Sequence, residues 1–125
     1  MEYVSTKNAP GAIGPYSQAV KANGLLFTSG QIAINPETNT VEAKTIEEQT
    51  HQVCKNLTAV VEAAGTTMDK VVKTVCFLAD IEYFRPFLTA AARNCEKDSI
   101  YLVFFGGFYY SVTVAVNLNT RYIGI

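Results

Sequence analysis

The spacing of apolar positions changes several times along the chain, and each change marks an element. Gly24 to Ile34 (GLLFTSGQIAI) is rich in strand formers but carries Ser29-Gly30 in its middle, where a glycine implies a bulge or a close backbone approach. Asn35-Pro36-Glu37-Thr38-Asn39 has the composition of a loop. Thr45-Ile46-Glu47-Glu48 then has the form of a capping box: the Thr45 hydroxyl takes the Glu48 amide, and Glu48 reaches back to the Thr45 amide. Ile46, Val53, Leu57, Val60, Val61 and Ala64 fall on one helical face, and Gly65 is placed to end that helix in a left-handed cap.

Lys70 to Leu78 (KVVKTVCFL) has the β-branched content of a strand. Its alternation predicts Val71, Lys73, Val75 and Phe77 on one face and Val72, Thr74, Cys76 and Leu78 on the other. Asp80 can cap a second helix running to about Cys95, with Pro86 tolerated near its first turn. Ile100 to Phe105 and Phe108 to Leu118 read as two strands, joined in a tight hairpin at Gly106-Gly107. The predicted order is β, β, α, β, α, β, β. Such a chain builds an α/β (α+β) domain, a mixed sheet with both helices packed on one face. No repeat or linker divides it, so residues 1–125 form a single domain.

Composition narrows the function classes. With 49% hydrophobic and 17% charged residues the chain is globular, and in a domain of 125 residues so high an apolar share leaves surface for a subunit interface. Ten basic and eleven acidic residues are scattered without a basic run, which argues against a nucleic-acid partner. The uncharged stretch Ser99 to Thr120 is long enough to span a bilayer, but Gly106-Gly107, its β-branched and aromatic residues and its polar interruptions fit strands better. Met1 to Val4 has neither the basic nor the apolar region of a secretory signal, so the cytoplasm is expected. Cys54, Cys76 and Cys95 are odd in number and widely spaced, which argues against a disulfide framework or a zinc site. Cys54 and Cys76 read as buried, inert thiols.

Candidate chemistry is sparse. His51, the only histidine, lies across the helical wheel from Val53 and reads as a surface residue. No P-loop, dinucleotide fingerprint, HExxH or GxSxG motif is present. The stretch Asn8-Ala9-Pro10-Gly11-Ala12-Ile13-Gly14-Pro15-Tyr16-Ser17-Gln18-Ala19-Val20, followed by Phe27-Thr28-Ser29-Gly30-Gln31-Ile32, resembles the opening signature of the RidA (YjgF) family, whose older labels are endoribonuclease L-PSP and translation inhibitor. Asn56 to Gly65 and Val71 to Asp80 continue the match, so the resemblance covers roughly residues 1 to 84.

That resemblance implies a chorismate-mutase-like fold and a homotrimer with ligand clefts between subunits. It also implies hydrolytic deamination of 2-iminobutanoate and 2-iminopropanoate to 2-oxo acids and ammonia, without a cofactor. Carried over by position, Tyr16 borders the cleft, and Ser29 and Gly30 supply polar contacts where the backbone approaches the ligand. In the last third the family pattern stops. Ungapped continuation places Tyr101 where the family has its substrate-binding arginine, Val103 at a cysteine, Val116 at a water-orienting glutamate and Leu88 at an asparagine. Three readings follow: a diverged or inactive member that binds small carboxylates, a replacement arginine such as Arg121, or a tail that differs from the natural one through a frameshift or an assignment error, which the abruptness of the change favours.

Overall fold

A computed structural model describes residues 1–94, 100–105 and 111–117. The strands are β1 (Glu2–Val4), β2 (Ala19–Ala22), β3 (Leu25–Thr28), β4 (Ile34–Asn35), β5 (Thr40–Val41), β6 (Val71–Leu78), β7 (Ile100–Phe105) and β8 (Ser111–Asn117). The helices are α1 (Ile46–Ala63), between β5 and β6, and α2 (Phe84–Asn94), between β6 and β7. The main sheet has the order β1-β2-β3-β8-β6-β7, mixed as expected: β6 and β7 run parallel, all other neighbours antiparallel.

Helix α1 starts as its capping box predicts. The Thr45 hydroxyl accepts the Glu48 amide at 3.2 Å, while the Glu48 carboxylate accepts from Lys44 at 2.9 Å, one residue earlier than expected. Gly65, at φ +87°, follows the helix in the left-handed region that a side chain would strain. The apolar stripe of α1 is driven into the sheet: Val53, Leu57, Val60 and Val61 are fully buried. Each such burial is worth about 1.5–3 kcal/mol. Leu26, Cys76 and Leu78 meet them from the sheet, and Phe87 and Ala91 bring α2 into the same core. Asp80 caps a short 3-10 turn, accepting the Glu82 amide at 2.9 Å, and α2 follows with Pro86 in its first turn.

The local elements come out largely as expected, but the pairing differs. β7 and β8 do not form a hairpin, because β6 lies between them, pairing parallel with β7 and antiparallel with β8. Helix α2 is the crossover that a parallel β6–β7 pair requires, and β8 then bridges β6 to β3, pairing Phe27 with Ala115. Gly106-Gly107 lies outside the described residues. Strand β6 carries a bulge between Val71 and Lys73, and strict alternation therefore fails there: Val71 is buried and Val72 exposed, whereas from Lys73 onward the expected faces hold, with Thr74, Cys76 and Leu78 buried and Lys73, Val75 and Phe77 on the more exposed side. Strand β3 ends at Thr28, so Ser29-Gly30 lies just beyond the strand rather than inside it. Two turns carry φ of left-handed sign. Asn23 and Gly24 (φ 52° and 74°) make the two-residue turn of the β2–β3 hairpin, and Asn39 (φ 60°) closes the small β4–β5 hairpin that replaces the expected loop.

On the face turned away from the helices, Tyr3, Val20 and Phe27 stand in one cross-strand row, with Tyr3 66% and Phe27 44% exposed. No helix among the described residues is long and apolar enough to cross a membrane. Cys54 departs from the expected inert thiol: it is disulfide-bonded, a pairing that the wide spacing of the three cysteines does not reveal.

Cys76 is a free thiol in the core, and burial pushes its pKa up to about 12. The folded chain holds this proton more tightly than the unfolded chain. The stability it contributes is therefore complete below the ordinary thiol value of 9.0 and is lost as pH rises through about 12. Urea unfolding at about pH 8 and about pH 10.5 should show a larger loss for the parent than for Cys76→Ala. Alkylating reagents should leave Cys76 untouched until the chain unfolds.

Candidate functional site

Between the N-terminal loop and the segment that leaves β3 lies a hollow of about 230 Å³. Pro10, Gly11, Ile13 and Tyr16 form one wall, and Gly30, Gln31, Ile32 and Ile34 the other. Two of the three residues expected at the site, Tyr16 and Gly30, line it together. Ser29 does not line it: its amide and hydroxyl both donate to the Gln18 carbonyl, at 3.0 and 3.1 Å. Tyr16 is half exposed, its amide donates to Gly14 at 2.8 Å, and its ring lies over Gly14, where an added Cβ would meet it at 3.6 Å.

Both walls are held by buried amides, Gln18 from within the lining of the hollow and Asn56 from behind it. Gln18 is almost fully buried; its Oε1 accepts the Thr6 amide at 2.6 Å, and its Nε2 donates to the carbonyls of Pro10 at 2.8 Å and Thr6 at 3.0 Å, with Ala9 more distant at 3.4 Å. Asn56, on α1, donates to the carbonyls of Ile32 at 3.1 Å and Ile34 at 2.9 Å, and accepts from Gln52 at 2.9 Å. Sequence reasoning missed both. For Asn56 a signal existed: it lies three residues after Val53 and four before Val60, so it is a polar residue on the buried stripe and must find partners there. Gln18 offered no comparable signal, since it sits in a stretch without clear periodicity.

The described lining of the hollow carries no charged side chain. Tyr101, at the family's arginine position, pairs with Thr74 in β7, and Val116, at the glutamate position, pairs with Leu26 and Val71 in β8. Leu88 is exposed on α2, and Arg121 lies outside the described residues. A larger groove of about 720 Å³ runs along α1 past Lys7, His51, Lys55 and Glu62, with both signs of charge in its lining. Among the described residues no three His, Cys, Asp or Glu side chains converge to hold a metal ion.

The endoribonuclease L-PSP family model matches residues 6–103. The chain belongs to this family, that of the RidA (YjgF) proteins. Reactive Intermediate Deaminase A of Arabidopsis thaliana chloroplasts is 48% identical over 84 residues, covering 67% of this chain and 45% of that protein. Among solved structures, the Rid-family protein YyfA of Yersinia pestis superposes with a TM-score of 0.87 at 39% identity, covering 93% of this chain and 98% of that one. Escherichia coli TdcF with bound serine superposes with a TM-score of 0.86 at 25% identity, covering 94% and 98%. The structural likeness thus extends past residue 103, where the match to the family model ends.

Ser29→Ala should cost about 1 kcal/mol of stability, the worth of one neutral hydrogen bond, because the Ser29 amide keeps its own bond to Gln18. Chemical denaturation of the variant against the parent measures it.

Proposed function

We propose that this chain hydrolyses small 2-imino acids, of the 2-iminobutanoate and 2-iminopropanoate type, to 2-oxo acids and ammonia. The observation that carries this reading is the hollow of about 230 Å³ between Tyr16 and Gly30, small, uncharged and walled largely by the residues of the family's opening signature. The 48% identity to a protein named as a reactive intermediate deaminase supports the reaction class, and the serine held by TdcF supports a ligand of three or four carbons.

The reaction needs little machinery. A water oxygen bonds to the imine carbon as one of its protons passes to the nitrogen; the hydroxyl proton of the resulting carbinolamine then passes to the nitrogen as the C–N bond breaks, releasing ammonia and leaving the carbonyl. Tyr16 offers a hydroxyl to orient the water or the substrate, and Gly30, without a side chain, lets the main chain approach. No cofactor takes part in this scheme. The substrate carboxylate needs a cation, and a bidentate arginine is the best match; Arg121 is the residue proposed for it. A second reading, binding of small carboxylates without turnover, is favoured by Tyr101 and Val116 at the family's arginine and glutamate positions.

The test is ammonia release from 2-iminobutanoate generated by a threonine dehydratase. The chain should accelerate it, Gly30→Val should reduce kcat/KM at least about tenfold by filling the hollow, and Arg121→Ala should raise KM. Saturable binding of 2-oxobutanoate with no acceleration would select the second reading.

The proposed assembly is a homotrimer with clefts between subunits, supported by the exposed row Tyr3, Val20 and Phe27 on the uncovered sheet face and by family membership. Light scattering should give three times the 13.6 kDa chain mass, and Phe27→Lys should shift it toward one.

A further inference from the structure

We propose that Gln18 and Asn56 are positioning residues, a pair of buried amides that sets the separation of the two walls of the hollow and so the length of substrate it accepts. This rests on reading the hollow as the substrate site. Three features carry it. The carbonyls gripped by these amides belong to residues that line the hollow: Pro10 on the loop wall by Gln18, Ile32 and Ile34 on the opposite wall by Asn56. Each grip spans far along the chain, eight to twelve residues for Gln18 and 22 to 24 for Asn56, so neither wall is held this way by its own local structure.

The third feature is that each amide is itself fixed. Gln52 donates to Asn56 Oδ1 at 2.9 Å, which leaves Nδ2 to face the two carbonyls. The Thr6 amide does the same for Gln18, donating to Oε1 and leaving Nε2 to face the carbonyls of Thr6 and Pro10. Gln18 acts a second time through its main chain, whose carbonyl takes both donors of Ser29 and so anchors the start of the Gly30 wall to the residue that anchors the loop wall. Gln18 lines the hollow, but it is 4% exposed and its Oε1 and Nε2 are committed to Thr6 and Pro10. Asn56 sits at the protein side of its wall, 1% exposed, and acts through main-chain carbonyls alone.

The isosteric variants Gln18→Glu and Asn56→Asp remove the donors and keep the shape; Gln18→Met and Asn56→Leu do so without introducing a charge, should the first pair fail to fold. Hydrogen exchange followed by mass spectrometry is the first measurement. Gln18 variants should speed exchange about tenfold in residues 6–16 and leave 31–35 unchanged, Asn56 variants the reverse, with α1 and β6 protected as in the parent. The second is the ratio of kcat/KM for 2-iminobutanoate over 2-iminopropanoate, which a loss of stability alone would not move and which should change at least threefold. Unchanged exchange at both walls, equal acceleration throughout the chain, or an unchanged ratio in an active parent would overturn the clamp. A parent that releases no ammonia removes the deaminase reading alone; the wall-specific exchange pattern then decides the clamp by itself.

Discussion

A sheet with one covered face has to bury that face completely, and here a single helix does most of the covering. Val53, Leu57, Val60 and Val61 of α1 have no exposed surface, and the core they share takes in Leu26 of β3 and Cys76 and Leu78 of β6, strands that are not neighbours. Burial of this one stripe therefore holds both halves of the sheet beneath the same helix. The site follows from it. Asn56 can reach the Ile32 and Ile34 carbonyls only because the residues around it on α1 are locked in the core, so the stripe that stabilises the fold also locates one wall of the hollow.

Covering one face leaves the other to be dealt with. Tyr3, Val20 and Phe27 form a continuous apolar row, and among the described residues no element lies over it. The hollow raises a parallel point, since its described lining offers main-chain groups, a tyrosine hydroxyl and amides but no charge. Under the proposed function the cation for the substrate carboxylate therefore comes from outside this described lining.

Features set by neighbours in sequence were legible. The α1 cap, its stripe and its glycine stop could be read because each is decided within a few residues, and so could the β6 strand and the Asp80 cap. Pairing could not be read, because the apolar pattern of Ile100 to Phe105 and Ser111 to Asn117 serves equally for a hairpin or for two strands flanking a third. The bulge at Val71 was hidden for the same reason: alternation is a rule of regular strands, and one extra residue reverses it locally. Of the three residues that family resemblance brings forward, Tyr16 and Gly30 line the hollow and Ser29 does not. The amides that hold the walls act on carbonyls up to 24 residues distant, and such partners become visible only once the chain is folded.

The position of β8 has a consequence for how the molecule comes into being. β1, β2 and β3 form one block and β6 and β7 another, and among the described residues the strand that joins them is β8, which follows all the others in the chain. As the chain emerges from the ribosome, both blocks and α1 are complete while the seam between them is still open. Closure is a late, long-range event, of the kind that slows folding and leaves strand edges unpaired until it occurs. What the seam demands of its sequence is modest, a run able to pair on both sides. That accounts for a C-terminal segment that has left its family's pattern and yet keeps its family's shape.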